Sequence, residues 1–333
     1  MDNLTHTAVG LFLSRIGLGR WSPGATGIVM VAANIPDIDV VAAAGGPLNY
    51  LLYHRNLTHS LALMPVMALA SVVVVRLVWR RKPIKWVWAF LAALIAVGSH
   101  LALDWTNVYG IRLLLPFSGR WLRGDTTAVV DLCIWVVLLI GIAGPFLARL
   151  VGSEISSGAI KDRHHGRGFA WFALLALLIY DCGRGVMHAR AVAALASHMY
   201  EGSVPLRVAA MPDPVNPFKW RGIVETSGAY VIQDVNLAID PDVPRATVFH
   251  KPDPDPAIEA ARRTPTFQAF LPFSQYPLWR VTPYPSVENG KLVEAFDLRF
   301  GTPMSPGFVA RAVLDSRLQV LESSFQFGVV RPR

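Results

Sequence analysis

The chain has 333 residues, of which 53% are hydrophobic and only 16% are charged, and its formal net charge is +8. Soluble domains carry about 25% charged residues, so this composition excludes an ordinary soluble protein and indicates a membrane protein with length left for a water-facing domain. Much of the positive charge lies in short loops beside apolar runs, where it marks topology rather than a nucleic-acid-binding surface, and no nucleic-acid partner is expected.

The first 44 residues predict helices that do not form a simple membrane span. The N-terminal stretch lacks the basic region of a cleavable signal peptide, so insertion is expected to rely on internal spans. Thr5–Leu18 predicts a short amphipathic helix. Residues 24–44 are apolar but interrupted by NIPDID. That interruption favours a re-entrant or partly buried helix pair, because irregular backbone at membrane depth must be covered by protein or line a cavity.

Four later segments are long and apolar enough to cross the roughly 30 Å hydrocarbon layer as helices. They are Ser60–Trp79, Trp86–Trp105, Ala128–Leu150 and Gly168–Asp181, the last expected to continue towards His188. Tryptophans near the ends of these runs are typical of interfacial anchors. The sequence therefore predicts a mainly α polytopic bundle of about four transmembrane helices, preceded by re-entrant or amphipathic helices.

Basic loops set the predicted orientation. RRKPIK at 80–85 joins the first two spans, and the segment 149–168 joins the last two, so both loops are assigned to the cytoplasm. Residues 106–127 and the chain after the fourth span then lie on the non-cytoplasmic side.

The character of the chain changes near Glu201, where Pro-rich connections begin to separate short alternating runs. GIVETSGAYVIQDVNLAI predicts a hairpin that turns at Ser227-Gly228, and LVEAFDLRF and a pair of runs around Asp315-Ser316-Arg317 predict further strands. One short helix is expected near Pro256–Arg263. We therefore predict a helical membrane domain over 1–200 and a small β-rich (α+β) extramembrane domain over 201–333.

Ionisable residues outside the basic loops gather at the ends of the predicted spans. HRNLTHS enters the first span, SHLALDW leaves the second and GDTTAVVD enters the third, all on the non-cytoplasmic face of the predicted topology. Such residues are costly at a membrane, so a cluster of them predicts a functional site. The candidates are His6, Asp37, Asp39, His54, Arg55, His59, His100, Asp104, Asp125 and Asp131.

The spacing within these motifs allows several side chains to meet. His100 and Asp104 are four residues apart and share one face of a helix. His54 and His59 are five apart, which does not suit one helical face, so His54 is expected in the loop and His59 on the first helical turn. In NIPDID the proline fits the first turn of a helix or a tight loop, so Asp37 and Asp39 need not point apart.

Imidazole and carboxylate ligands without thiolates suit zinc, manganese or iron. The two cysteines, Cys133 and Cys182, lie in apolar runs and form neither a zinc motif nor a disulfide framework. Seven possible ligands, His6, Asp37, Asp39, His54, His59, His100 and Asp104, exceed the needs of one ion. This surplus predicts either two bridged metals or one metal with acid–base and orienting partners, and Arg55 would face developing negative charge.

Simpler interpretations stand beside the metal site. The HxxxD pair can be a buried hydrogen-bonded pair, PDID can cap a helix, and His6 can be a polar residue on the face of the first helix. His164, His165 and His250 are expected at the surface. Asp181, Arg184 and His188 lie at helical spacing near the end of the fourth span and form either an ion pair or a substrate contact.

At these motifs the sequence resembles the YdjM-like family of bacterial inner-membrane metal-dependent hydrolases. The matching stretches, in order over residues 1–135, are MDNLTHTAVG, NIPDIDV, YHRNLTHS, SHLALDWTNVYG, LLLPFSGRW and VVD at 129–131. NPFKWRGIVE at 216–225 resembles the extracytoplasmic tail that some members carry. The resemblance implies a bacterial inner (cytoplasmic) membrane location.

That family is similar in motif order to zinc-dependent phospholipase C and P1-type nucleases. This likeness implies metal binding by His6, Asp37, either His54 or His59, His100 and Asp104. The downstream HxxxE pair of those enzymes and their N-terminal tryptophan ligand are absent here, so one or two ions rather than three are expected.

We therefore expect a membrane-bound hydrolase in which a metal-activated water attacks a phosphoester or ester of a lipid or envelope molecule. Asp37 or Asp39 would act as the base, Arg55 would hold the charge, and Asp131 is grouped with these catalytic residues. A transporter or proton relay is one rival, because intramembrane His and Asp also form relays. The other rival is an envelope scaffold in which the polar cluster only ties helices together.

Overall fold

The fold divides into two compact units. The computed structural model describes residues 1–79, 83–155, 165–239 and 246–327. The first unit contains Met1–Asp39, Arg55–His188 and Pro212–Pro217, and the second contains Val40–His54, Ala189–Met211 and Phe218–Arg333. The extents of the two domains predicted from the sequence stay a prediction.

The N-terminal half is helical. Its α-helices are α1 Asn3–Ile16, α2 Ala25–Ala32, α3 Pro47–Tyr53, α4 Met64–Val78, α5 Trp86–Thr106, α6 Leu132–Ile155 and α7 His165–Ala196. Three 3-10 segments, Leu18–Arg20, Ile35–Gly45 and Leu57–His59, lie between them. NIPDID therefore runs into a 3-10 segment that follows α2, in keeping with the interrupted helix pair expected over residues 24–44.

Three of these helices are long and apolar enough to cross a membrane, and up to five spans result if each bent helix pair counts as one span. The three are Trp86–Thr106, Leu132–Leu150 and Gly166–Ala196, and the bent pairs are Ala25–Ala32 with Ile35–Gly45 and Pro47–His59 with Met64–Val78. The predicted membrane helical bundle is confirmed.

Residues at the helix starts explain why two helices begin later than the hydrophobic runs. Pro65 stands in the first turn of α4, which begins at Met64 rather than at Ser60. The Asp131 carboxylate accepts hydrogen bonds from the backbone N–H groups of Cys133 and Ile134, so α6 begins at Leu132 rather than at the predicted Ala128. The hydropathy of the sequence reveals the apolar run, whereas the residues at the start of the helix determine which residue is the first helical one.

Two apolar cores hold the first unit together. One core lies among α2, α4 and α5, where Ile28, Val72 and Ala93 are fully buried. The other joins α1, α6 and α7 around Phe12, which is also fully buried. Gly141 on α6 allows this approach, because a Cβ atom there would lie 2.6 Å from the Phe12 ring.

The second unit contains two four-stranded sheets. The sheet orders are β1-β2-β3-β4 and β5-β6-β7-β8. The strands are β1 Arg207–Pro212, β2 Lys219–Glu225, β3 Ala229–Asn236, β4 Thr247–His250, β5 Pro277–Tyr284, β6 Gly290–Asp297, β7 Phe308–Leu314 and β8 Val320–Phe327. The hairpin expected at Ser227-Gly228 is β2–β3, which pair antiparallel with Glu225 opposite Tyr230.

Helices pack within this second unit. α8 (Pro256–Arg262) is the helix that the sequence predicts, and α9 (Pro265–Phe273) was not foreseen. The Thr264 side chain caps α9 by accepting from the Phe267 N–H, and the Phe267 and Phe270 rings are fully buried. The segment 40–54 contributes α3, whose Tyr50 ring lies 5.4 Å from the ring of Phe327 on β8. The predicted β-rich, α+β character of this region is confirmed.

We expect Phe12→Ala to destabilise the helical unit by about 3–5 kcal/mol, because it opens a cavity among α1, α6 and α7. Phe146→Ala is the matched control, since Phe146 on α6 is 63% exposed. Thermal unfolding of the two purified variants in one detergent measures the difference. Equal unfolding temperatures would show that α1 is not packed into this core.

Candidate metal centre

Four ionisable side chains from three separate segments meet inside the first unit. Asp37 comes from the 3-10 segment Ile35–Gly45, His59 from the 3-10 segment Leu57–His59, and His100 and Asp104 from α5. His59, His100 and Asp104 have no exposed surface, and Asp37 is 6% exposed. One potential ligand atom from each lies within 4.8 Å of all the others.

The distances between these atoms fit the edges of a tetrahedron around one ion. The Nε2 atoms of His59 and His100 lie 3.1 Å apart. Asp104 Oδ2 lies 3.2 Å from the first nitrogen and 3.3 Å from the second. Asp37 Oδ1 lies 3.4 Å and 3.7 Å from the same two nitrogens. Ligands bound about 2.0–2.1 Å from a tetrahedral zinc ion lie about 3.3–3.4 Å apart, so the four atoms can hold such an ion.

Both imidazoles are oriented by contacts on the far side of the ring. The Nδ1 atom of His100 lies 2.8 Å from the carbonyl oxygen of Ala33, which can only accept. The Nδ1 atom of His59 lies 3.2 Å from Asp39 Oδ2. These contacts place the proton of each neutral ring on Nδ1 and leave the Nε2 lone pair facing the cluster, as in metal-binding histidines.

Asp39 orders the loop that carries His59. Its Oδ2 atom accepts hydrogen bonds from the Arg55 N–H at 2.9 Å and from the Thr58 hydroxyl at 2.7 Å. Arg55 has a φ of +56°, a left-handed conformation that non-glycine residues rarely adopt. The bond to Asp39 stabilises this turn and places His59 beside α5.

Arg55 faces the second oxygen of Asp104. Its Nη2 atom lies 2.9 Å from Asp104 Oδ1, and its Nη1 atom donates to Asn107 Oδ1 at 3.0 Å. The amino group of Met1 also contacts Asp104 Oδ1. The guanidinium group lies 4.9 Å from the centre of the Tyr109 ring. Arg55 thus supplies a fixed, 3% exposed positive charge next to the cluster.

His6 lies beside the four residues rather than among them. Its ring stacks on His100 with centroids 3.8 Å apart, and its Nε2 atom lies 3.4 Å from Asp104 Oδ1. Within the described ranges, neither ring nitrogen makes a hydrogen bond. Burial, and next the neighbouring His100, hold the pKa of His6 well below its usual value, so the ring is neutral.

Two other residues predicted for the site, His54 and Asp131, are not among these four. His54 ends α3 in the second unit and stacks on Tyr50 at 4.4 Å, and its role as a metal ligand stays a prediction. Asp131 caps α6 and accepts from the Tyr180 hydroxyl at 3.0 Å, and its catalytic role stays a prediction.

Arg184 and Asp125, two other candidates from the sequence, also have partners in the first unit. Arg184 donates to the backbone carbonyls of Thr126 and Pro217, and so joins α7 to two loops. Asp125 lies in an ion pair with Arg123. His164 lies outside the described residues.

Three groups in the cluster were not predicted from the sequence. The Ala33 carbonyl and the Thr58 hydroxyl carry no motif signal, because any residue offers a carbonyl and hydroxyls are common. Asn107 follows Asp104 by three residues at the end of α5. That helical spacing could have indicated that its amide lies on the same face.

The fold and the cluster together define a polytopic membrane protein with a buried His–Asp site that could hold a metal ion. Residues 1–196 match the family described as YdjM inner membrane protein, and the chain belongs to that family.

Further matches extend over the rest of the chain. Residues 256–328 match the YfhP C-terminal alpha/beta plait domain. The uncharacterized protein YfhP of Bacillus subtilis (strain 168) is 25% identical in an alignment 329 residues long, which covers 93% of this chain and 90% of that protein. No solved structure gives a significant match. The likeness to phospholipase C and P1 nuclease stays a prediction.

We expect Asp39→Asn to weaken zinc binding by about 10–100-fold, because loss of a carboxylate that orients a ligand histidine has effects of this size. The measurement is competition with a coloured chelator on purified protein in detergent. Asp181→Asn on α7 is the control for replacing a carboxylate in a membrane helix. Unchanged zinc affinity of Asp39→Asn would contradict the orienting role.

Proposed function

We propose that this protein is a membrane-bound metal-dependent hydrolase whose ion is held by Asp37, His59, His100 and Asp104. The observation that carries the proposal is that the two imidazole nitrogens lie close to tetrahedral edge lengths from each other and from both carboxylate oxygens, with both imidazoles already oriented. Zinc suits two nitrogen and two oxygen ligands in this geometry, and manganese or iron accept the same ligand types.

A bound zinc ion would supply an acidified water whose pKa falls from 15.7 to about 7. A catalytic zinc site takes about three protein ligands and leaves one position for water. His59, His100 and Asp104 have partners that hold them in place, and Asp37 sits on a 3-10 segment with slight exposure. Asp37 can therefore bind the ion or accept the proton of the water, while Asp39 positions His59.

Arg55 has the charge and the position to stabilise an anionic substrate. Its guanidinium group lies against Asp104, a proposed ligand, and is held from the other side by Asn107. A preorganised cation in a water-poor site stabilises negative charge that develops on a phosphoryl or carboxyl oxygen. This arrangement favours a phosphoester, in keeping with the likeness to phospholipase C, and accommodates a carboxylic ester.

The location favours an amphiphilic substrate. His100 and Asp104 lie in the last two turns of α5, one of the candidate spans, and Trp105 beside them is 47% exposed. A site near the end of a membrane helix can receive a lipid or another envelope molecule without extracting it into water. We propose that this end of the bundle and the C-terminal domain lie on the non-cytoplasmic side, as the basic loops predict.

We expect wild-type protein to contain about one zinc ion per chain, and His100→Gln and Asp104→Asn to lose it, because each removes a ligand. Elemental analysis of detergent-purified protein measures the content. His188→Gln is the matched control, a histidine on α7 that should leave the metal content unchanged. Equal metal content in all four proteins would contradict the assignment of the ligands, and a metal-free wild type would favour the scaffold interpretation.

Activity is tested on the same preparations. We expect slow hydrolysis of a phosphodiester or a phospholipid by the wild type, loss of that hydrolysis on chelation, and recovery on return of zinc. Hydrolysis that survives in His100→Gln would come from a contaminant or another site. Stoichiometric zinc with no hydrolysis of phosphoesters, carboxylic esters or lipids would contradict the hydrolase and leave the metal site in place.

A further inference from the structure

Four arginines converge on one pocket in the first unit, away from the metal cluster. Arg15 comes from the last turn of α1, Arg20 from the following 3-10 segment, Arg149 from α6 and Arg167 from the first turn of α7. The pocket has a volume of about 330 Å³, and its remaining lining residues are Ile142, Pro145, Phe146 and Gly166. Side chains that are distant along the chain therefore present four positive charges to one space.

One arginine donor in this pocket has no hydrogen-bond acceptor within the described residues. The Nη1 atom of Arg15 is buried and makes no hydrogen bond within the ranges that the structure describes. A buried guanidinium donor without an acceptor is costly, and like charges around one space repel one another. An anion in the pocket would supply the acceptor and reverse the repulsion.

Helix electrostatics do not account for the whole set. Arg15 stands in the last turn of α1, where the helix dipole favours a cation, whereas Arg149 lies six residues before the end of α6. Arg167 stands in the first turn of α7, where the helix dipole disfavours a cation, and Arg20 lies outside both α-helices. A shared ligand gives these two arginines a reason to face the same pocket.

The rest of the pocket wall is apolar and belongs to a membrane helix. Ile142 and Phe146 on α6 are 43% and 63% exposed, and both lie within the candidate span Leu132–Leu150. A ligand in this pocket therefore meets arginines at one end and hydrocarbon-facing side chains at the other. That combination matches an amphiphile with an anionic head.

We propose that this pocket binds the phosphate headgroup of an anionic phospholipid. Arginine binds phosphate oxygens through parallel N–H donors, and basic pockets between membrane helices are suited to such headgroups. The pocket is lined by the second half of α6 and the first turn of α7. The sequence assigns the basic connection between these two helices to the cytoplasm, so the lipid would come from the cytoplasmic leaflet in the predicted topology.

This site is distinct from the proposed metal centre. His6 stands beside the metal cluster in the first half of α1, and Arg15 lies nine positions later on the same helix. Nine residues of α-helix extend about 14 Å. The lipid is therefore expected to bind as a structural or regulatory ligand, and its binding does not depend on zinc.

The test measures phospholipid binding to the purified full-length protein in an uncharged detergent. We expect phosphatidylglycerol to remain bound in native mass spectra of the wild type and to raise its thermal unfolding temperature. Arg20→Gln/Arg167→Gln, which changes two exposed arginines, should bind roughly 30-fold more weakly, because each surface cation contributes about fivefold to binding.

Controls separate the pocket from general charge. Arg263→Gln/Arg317→Gln removes the same charge from exposed positions of the second unit and should keep wild-type affinity. Equal weakening in both double variants would overturn the proposal, as would equal binding of zwitterionic phosphatidylcholine. An equal thermal shift from inorganic phosphate would replace the lipid by a free anion and overturn the lipid assignment. If Arg20→Gln/Arg167→Gln is not monodisperse, Arg15→Gln/Arg149→Gln carries the same expectations.

Discussion

Four acceptor atoms that face one another in a buried site impose the main constraint on the helical unit. The Nε2 atoms of His59 and His100 lie 3.1 Å apart, and the nearest oxygens of Asp37 and Asp104 lie 3.2–3.7 Å from them. Their lone pairs and the two carboxylate charges repel in a medium of low dielectric constant. Arg55 faces the other oxygen of Asp104 and so balances part of this charge. A cation among the four atoms would turn the remaining repulsion into binding energy, which is why we interpret the cluster as a metal centre.

The backbone around the site is arranged to meet this constraint. α5 presents His100 and Asp104 one turn apart, whereas Asp37 and His59 come from 3-10 segments. Irregular backbone at such depth needs internal partners. Asp39 supplies them by accepting from the Arg55 N–H and the Thr58 hydroxyl. The Asp39 carboxylate that holds the loop in place therefore also orients the ligand histidine. On α1, His6 lies beside this cluster and Arg15 lies towards the other end of the helix, in the arginine pocket.

The sequence predicts the features that depend on local periodicity or composition. The membrane helices follow from long apolar runs, and the pairing of His100 with Asp104 follows from a four-residue spacing. Pro65 in the first turn of α4 and the Asp131 cap of α6 place the helix starts about one turn later, which hydropathy does not reveal. The β2–β3 hairpin follows from alternation around Ser227-Gly228, while α9 was missed because its aromatic residues suit either state.

Which of the other candidate residues meet at the site depends on tertiary packing, which the sequence does not reveal. His54 and His59 are equivalent in sequence chemistry, and only the fold brings His59 to His100. The motif allows Asp39 to be a ligand or a base, and that role stays a prediction. The fold adds contacts of Asp39 with His59, Arg55 and Thr58, which no motif indicates. The contribution of the Ala33 carbonyl has no sequence signal at all, because it depends on how α2 packs against α5.

The most direct test of the central claim is X-ray absorption at the zinc edge on purified, full-length protein. If these four residues bind zinc, we expect about four nitrogen and oxygen neighbours of the ion at about 2.0–2.1 Å, with two imidazoles and no sulfur. A sulfur shell at about 2.3 Å, or a spectrum unchanged in His59→Gln and His100→Gln, would place the ion elsewhere and contradict metal binding by the His–Asp cluster.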